Sequence, residues 1–170
     1  MKISMYHASA PRFASALTNL SAILDKAQAH AEAKKIDPAV LGSLRLIADM
    51  FPLSRQVQIA CDTAKGAVAR LALVEIPKHE DTEQTIPELK ARIAKTLDFV
   101  RSVPAAAIDG SEDREVVLKM RSGEHKYTGL QYLMGHAWPN FYFHVATAYN
   151  ILRHNDVEVG KRDFLGAVVL

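Results

Sequence analysis

Residues 46–74, LIADMFPLSRQVQIACDTAKGAVARLALV, decide the fold of this chain. Apolar or small side chains recur in this stretch at alternating intervals of four and three residues, which is the spacing of one stripe along an α-helix. The stripe runs for about eight turns, and its members are Leu46, Met50, Leu53, Val57, Ala60, Ala64, Ala67, Leu71 and Val74. Pro52 lies inside the run, and because its ring crowds the carbonyl of Ala48, we expect a kink or a break there.

The same spacing predicts a helix before this stretch. Its apolar stripe runs from Phe13 to Ala31. The helix begins either with Pro11 in its first turn, after Ser9, or near Ser4 with a kink at Pro11. The second predicted helix, residues 46–74, therefore has an apolar neighbour against which it can pack.

A third predicted helix follows a polar loop over residues 75–85. Thr85 and Glu88 have the spacing of a capping box, with Thr85 as the N-cap residue. The apolar stripe that begins at Ile86 carries this helix to Pro104.

A fourth apolar stripe occupies residues 134–151. Pro139 either kinks this helix or restarts it after a short helix at residues 130–137. The helix should end near His154, and the tail VEVGKRDFLGAVVL, residues 157–170, should fold back on the helices.

Between the third and fourth helices the apolar period changes to two. The strings REVVLKM and HKYT flank Ser122 and Gly123, which predicts a short antiparallel hairpin with its turn at those two residues. An isolated hairpin is marginal in water, so this one should lie against the helices. The sequence therefore predicts one domain over residues 1–170, an all-α four-helix bundle with a short β-hairpin between helices 3 and 4.

The composition narrows the classes of partner. The 21 Lys and Arg against 19 Asp and Glu give a net charge of +2, which is too small to favour nucleic acid. The sequence has neither a signal-peptide-like start nor an apolar run of about 20 residues, so we expect neither export nor a membrane partner. A single cysteine is in keeping with a cytoplasmic location.

His144 is the candidate centre of a functional site. It lies on the apolar stripe of the fourth helix, where an imidazole must find a partner or a ligand. Asn140 lies one turn earlier on the same face. Asp49 and Gln56 flank the stripe of the second helix, and the four side chains can converge if the two helices are adjacent. The structural alternative is a core histidine hydrogen-bonded to a buried polar side chain.

Other reactive or aromatic residues carry less specific signals. Cys61 lies beside the second stripe, which favours a buried thiol that acts as a small apolar group. His30, His79 and His125 fall in polar surroundings and are predicted to be exposed. The aromatic string WPNFYFHVATAY, residues 138–149, is predicted to line a pocket or a dimer interface.

Several strings together carry a family resemblance. The strings LSAILDKAQAHAE, NFYFH and LRHNDVEVGKRDFL, with the second-helix stretch, resemble the bacterial domain-of-unknown-function family DUF1993, which is similar to the DinB/YfiT-like superfamily. The resemblance implies a four-helix bundle with a hairpin insertion and pairing as a homodimer.

The resemblance also implies a divalent metal, nickel or zinc. In the superfamily, one His of the second helix and a His-x3-His pair of the fourth helix hold it. His144 matches the second His of the pair and is the metal ligand that the resemblance assigns, while Asn140 stands in place of the first. Asp49 and Gln56 are the nearest polar residues of the second helix.

Two functions follow from these observations. We favour a non-catalytic bundle with a degenerate metal site, which binds a small-molecule ligand or a partner, most simply a second copy of itself. The alternative is a metal-dependent or small-molecule enzyme, transferase- or hydrolase-like, whose pocket centres on His144. In that enzyme Asn140, Asp49 and Gln56 orient the substrate or the metal.

Overall fold

The chain is mostly helical, with a small antiparallel hairpin. The computed structural model describes residues 3–120 and 122–167, the side chain of Pro38 excepted. In chain order the elements are α1 (Met5–Ala8), α2 (Ala10–Lys34), α3 (Pro38–Ser43), α4 (Leu53–Ala72), α5 (Ile86–Ser102), α6 (Ala105–Ile108), β1 (Glu115–Met120), β2 (Gly123–Thr128), α7 (Gly129–Tyr132), a π-helical turn (Leu133–Ala137), α8 (Trp138–His154) and α9 (Lys161–Leu165).

The long helices α2, α4, α5 and α8 enclose the core. α4 packs against α5 and α8, and α2 packs against the same two helices. Ala60, Ala64 and Ala67 of α4 are fully buried. The part of the predicted stripe that lies in α4 therefore faces the core. The small side chains of these alanines allow neighbouring backbones to approach α4 closely.

Pro52 breaks the predicted helix of residues 46–74 and does not kink it, which is the second of the two predicted outcomes. Residues 44–52 are not helical, and α4 begins at Leu53, whose N–H donates to the carbonyl of Leu44 at 2.8 Å. The predicted helix is therefore wrong for its first two turns. Proline has no N–H to continue the helical ladder, and its ring disfavours helical backbone in the residue before it.

Capping side chains lie at the starts of α1 and α5, and a proline lies in the first turn of α2. The hydroxyl of Ser4 accepts the N–H of His7 at the start of α1, and α2 begins after Ser9 with Pro11 in its first turn, which confirms the first alternative. The capping box of α5 is present: a Glu88 side-chain oxygen accepts the backbone N–H of Thr85 at 2.9 Å.

The predicted hairpin is confirmed. β1 and β2 pair antiparallel, with Glu115 opposite Thr128 and Met120 opposite Gly123. Gly123 is therefore the first residue of β2, and its φ of +120° suits glycine. Val116 and Leu118 are buried, because the hairpin contacts α7. Arg121, between the strands, lies outside the described residues.

A π-helical turn precedes Pro139. Helical backbone continues through Leu133–Ala137 into α8. The helix therefore widens before the proline, and no break separates the two parts. A proline removes one hydrogen bond to the preceding turn, and a π turn accommodates that loss. The helix ends at His154, as predicted.

The tail folds back on α2 as far as residue 167, as predicted. The Asn19 amide donates to the carbonyl of Phe164 at 3.2 Å, and Lys26 pairs with Asp163 at 2.7 Å. Residues 168–170 of the predicted tail lie outside the described residues. Over residues 3–120 and 122–167, no helix combines the length and the apolar character needed to cross a membrane.

Candidate functional site

His144 lies buried between α8 and α4, with 7% of its surface exposed. Its Nδ1 atom is 2.6 Å from Oε1 of Gln56, and Nε2 of Gln56 donates to the carbonyl of Phe51 at 3.0 Å. A carbonyl oxygen can accept a hydrogen bond from the NH2 group of an amide but not from the amide oxygen. The NH2 group of Gln56 therefore faces Phe51, and its oxygen faces the ring. Nδ1 of His144 therefore carries the proton and donates, and Nε2 of the neutral ring keeps its lone pair.

Burial decides the charge of this ring. It lowers the pKa of His144 to about 4, because an imidazolium loses hydration in the core, and the positive charge of Arg55 lowers the pKa further. The ring is neutral at pH 7. A group with so low a pKa is a weak base at that pH, since general bases act best when their pKa lies near the working pH.

Gln56 is the one predicted partner that reaches His144 in the described part of the chain. Asn140 instead donates from its amide to the hydroxyl of Thr63 at 2.9 Å. Asp49 is exposed in the turn before Pro52, because its predicted place depended on a helix that the proline interrupts. The geometry matches the structural alternative, a core histidine bonded to a buried polar side chain.

The residues around His144 do not fit the nickel or zinc ion that the resemblance implies. Residues 3–120 and 122–167 contain no group of three or more His, Cys, Asp or Glu side chains that could hold a metal ion. Zinc and nickel sites in proteins are built mainly from imidazole, thiolate and carboxylate groups. Here the Nδ1 of the single imidazole is bonded to an amide, and Asn140 bonds elsewhere.

Cys61 is a buried free thiol, as predicted. Burial raises its pKa to about 12, an effect larger than the hydrogen bond with Thr96 that lowers it. The side chain therefore stays a thiol at neutral pH and does not act as a nucleophile, since the thiolate is the reactive form.

Exposed apolar side chains lie in the two segments that hold the His144 pair, α8 and the turn before α4. Phe143 is 53% exposed, and its ring meets the His144 ring edge to face at 5.2 Å. Phe51, whose carbonyl binds Gln56, is 55% exposed, and Ile47 in the same turn is 60% exposed. We call Ile47, Phe51 and Phe143 the apolar rim.

A second buried polar group lies between α4, α5 and the loop of residues 75–85. The Arg92 side chain is fully buried and pairs with Asp62 at 2.7 Å, Asp81 at 2.9 Å and Glu83 at 3.1 Å. It also donates to the carbonyl of Glu80 at 2.9 Å. We call Arg92 and its three carboxylates the ion cluster.

Sequence reasoning missed the ion cluster. Two signals were present: Arg92 directly precedes Ile93 of the apolar stripe, and the loop contains the acidic run of residues 80–83. A cation beside a buried stripe needs carboxylates near it, and this loop was the nearest source along the chain.

The fold and the site together define a mostly helical protein with a hairpin insertion and a buried imidazole–amide pair. Residues 5–165 match the model of a family described as a domain of unknown function (DUF1993). The chain belongs to the DUF1993 family, as the sequence resemblance indicated.

The comparison with solved structures agrees. The crystal structure of a DinB family member protein from Shewanella denitrificans, at 1.83 Å resolution, is 47% identical in sequence and superposes with a TM-score of 0.88. The match covers 96% of this chain and 92% of that chain. Among curated proteins, no sequence matches the chain.

Proposed function

We propose that this DUF1993 protein is a non-catalytic binding protein with a degenerate metal site. We further propose that its long helices form a four-helix bundle, that residues 1–170 make one domain and that the protein works in the cytoplasm. The observation that carries the functional proposal is the hydrogen-bond chain from His144 through Gln56 to the Phe51 carbonyl.

This chain supports a structural role for the imidazole. Both ends of the Gln56 amide are bonded, so the ring is fixed in one orientation without a ligand. A buried imidazole whose pKa is about 4 neither carries charge nor accepts protons readily at neutral pH. Both properties favour a ring that stabilises the interior over one that reacts.

One observation favours the second candidate, an enzyme. The tautomer assigned above leaves a lone pair on Nε2 of His144, which is the atom that a metal ion or an acidic substrate proton would contact. A metal-dependent or small-molecule enzyme, transferase- or hydrolase-like, would use that atom. The donor set around the ring supports this candidate less well than the binding protein.

The apolar rim supports a second copy of this chain as the partner. Three large side chains in the segments that hold the buried pair are each more than half exposed, and aromatic residues are enriched at the centres of protein interfaces. A small-molecule ligand at the same place remains part of the proposal, and the two occupants are separated by experiment.

Metal analysis tests the degenerate site. Protein purified without an affinity tag should hold no stoichiometric nickel or zinc. The double variant Gln56→His with Asn140→His adds imidazoles beside His144 and should take up about one zinc per chain, because three imidazoles form a common zinc site. Stoichiometric metal in the unmodified protein that is lost in His144→Ala would instead support the enzyme.

Light scattering tests the partner. We expect twice the chain mass of 18.8 kDa. The variant Phe143→Ser should shift the protein to the monomer, whereas Met134→Ser, which also removes a half-exposed apolar side chain, should leave the dimer intact. A monomer at every protein concentration would overturn the homodimer and leave the small-molecule ligand as the occupant to test by binding.

A further inference from the structure

A cavity of about 290 Å³ lies beside the ion cluster and plays no part in the proposed function. The loop of residues 75–85 forms one wall, and α5 forms the other through Arg92 and Lys95, which lie three residues apart on one helix face. Its lining residues are Lys78, His79, Glu80, Thr82, Glu83, Arg92 and Lys95.

Two buried nitrogen atoms on this lining have no hydrogen-bond partner among the described residues. They are Nε of Arg92 and Nδ1 of His79. The guanidinium is fully buried, and its N–H groups are donors only. Buried donors are almost always paired in native proteins, so an unpaired one beside a cavity points to an acceptor that comes from outside the chain.

The charges around the cavity favour a negative ligand. Burial is the main cause that lowers the pKa of His79, and the positive charges of Lys65, Arg92 and Lys95 lower it further, against one opposing carboxylate, Asp62. Three of the four charges that act most strongly on His79 are therefore cations. The polar surroundings of His79 in the sequence predicted an exposed side chain, but the side chain is half-buried on this wall.

The carboxylates near the cavity compensate Arg92 and Lys65 but not the two lysines of the lining. Glu83 is bonded to Arg92 and accepts the Gln58 amide at 3.1 Å, so its charge is already satisfied. Glu80 is exposed. Lys78 and Lys95 are exposed residues of the lining, and neither forms an ion pair within the described ranges.

We propose that this cavity binds a phosphate group. Lys78 and Lys95 supply the two cations, the Thr82 hydroxyl supplies a neutral donor, and the neighbouring imidazole of His79 responds to the bound charge. Phosphate oxygens are strong acceptors that need several donors, and lysine is a common phosphate ligand. Inorganic phosphate and a phosphate monoester share this chemistry, so both are candidate sources.

An NMR titration of the His79 ring signals tests the site. We expect a saturable shift when inorganic phosphate is added to the intact protein at constant ionic strength, together with a rise in the pKa of His79, because a bound anion stabilises the imidazolium. The variant His79→Gln assigns the signals. A parallel titration with phosphoserine identifies the source: tighter binding of phosphoserine indicates a monoester, and tighter binding of inorganic phosphate indicates the free ion.

A pair of lysine variants distinguishes a specific phosphate site from a general effect of positive charge on the protein. Lys95→Ala should weaken phosphate binding about tenfold, because a charge-assisted hydrogen bond is lost. Lys119→Ala removes the same charge from the hairpin, where the side chain is 85% exposed, and should leave the affinity unchanged. A shift without saturation, or equal affinity in Lys95→Ala and the unmodified protein, would overturn the proposal.

Discussion

Helix α4 contributes one side chain to each of two buried polar groups. The two groups avoid an uncompensated buried charge in opposite ways. Gln56 meets a neutral imidazole through one hydrogen bond, whereas Asp62 meets the cation Arg92 among three carboxylates. Burial neutralises the first group, because the pKa of His144 falls to about 4, and pairing keeps the second group charged. A buried titratable group is thus made tolerable either by loss of its charge or by compensation of that charge.

Arg55 connects the two regions. Its guanidinium pairs with Asp81 of the ion cluster and contacts Gln58 at 3.3 Å, and its charge also lowers the pKa of His144. The charged region therefore reinforces the neutrality of the imidazole.

Removal of the buried cation should have the largest effect. Arg92→Met leaves the largely buried Glu83 without its cation, while Asp62 and Asp81 keep Lys65 and Arg55, and it should lower the free energy of unfolding by about 3 kcal/mol. Urea denaturation measures the loss. The control Lys90→Ala removes the partly exposed pair with Asp25 from the same helix and should cost no more than about 1 kcal/mol. Equal losses in the two variants would contradict a special role for the ion cluster.

Removal of the neutral partner should cost less. Gln56→Leu keeps the volume of the side chain but leaves Nδ1–H of His144 and the Phe51 carbonyl unpaired, so the free energy of unfolding should fall by about 1–3 kcal/mol. The same denaturation measures it. A loss below about 0.5 kcal/mol, the range of ordinary surface substitutions, would show that the hydrogen-bond chain contributes little.

The pH dependence of stability should show the neutral imidazole directly. The pKa of His144 is about 4 in the folded protein against 6.5 for an unperturbed histidine, so between these values only the unfolded chain binds the proton. The stability that the neutral ring gives the folded protein is complete above pH 6.5. It is lost as the pH falls toward 4, by about 1.4 kcal/mol per pH unit.

The variant His144→Gln isolates that contribution. Its stability should depend less steeply on pH over this window. The lowered pKa values of His79 and His136 act in the same direction and remain in the variant. Parallel pH curves for the variant and the unmodified protein would show that His144 titrates normally in the folded state.

The smallest effect on stability should come from Asp49, which was predicted to belong to the His144 site but lies outside it. Asp49→Ala changes an exposed turn and should alter the free energy of unfolding by no more than about 0.5 kcal/mol. The ring signals of His144 in an NMR spectrum should not move. A displaced signal would bring Asp49 back into contact with the imidazole.

Most of the fold was predictable because it depends on short-range rules. The apolar spacing of α2, α5 and α8, the capping box at Thr85 and the hairpin all follow from residues within a few positions of each other. The wrong helix prediction for residues 46–52 also has a local cause. The apolar spacing continued through Pro52, but the backbone cost of a proline inside a helix outweighed it.

The candidate site was predictable in part. The position of His144 on an apolar stripe identified it as a buried group in need of a partner, and Gln56 was among the residues named for it. Which of three polar side chains would bond the ring was not predictable, because that depends on the register of two helices whose bonded residues lie 88 positions apart in the sequence. Asn140, one turn from His144, bonds Thr63 instead.

The sequence by itself determined where the long helices and the hairpin form, apart from residues 46–52, that one histidine would be buried, and that the cysteine would be a buried thiol. These properties depend on local periodicity, capping and the hydrophobic character of single positions. The tertiary structure alone decided that the histidine is neutral and bonded through Nδ1, that Arg92 is surrounded by carboxylates and that a cavity lined by two lysines lies beside it. Burial and charge compensation arise from groups that meet only when distant segments pack, so no local pattern encodes them.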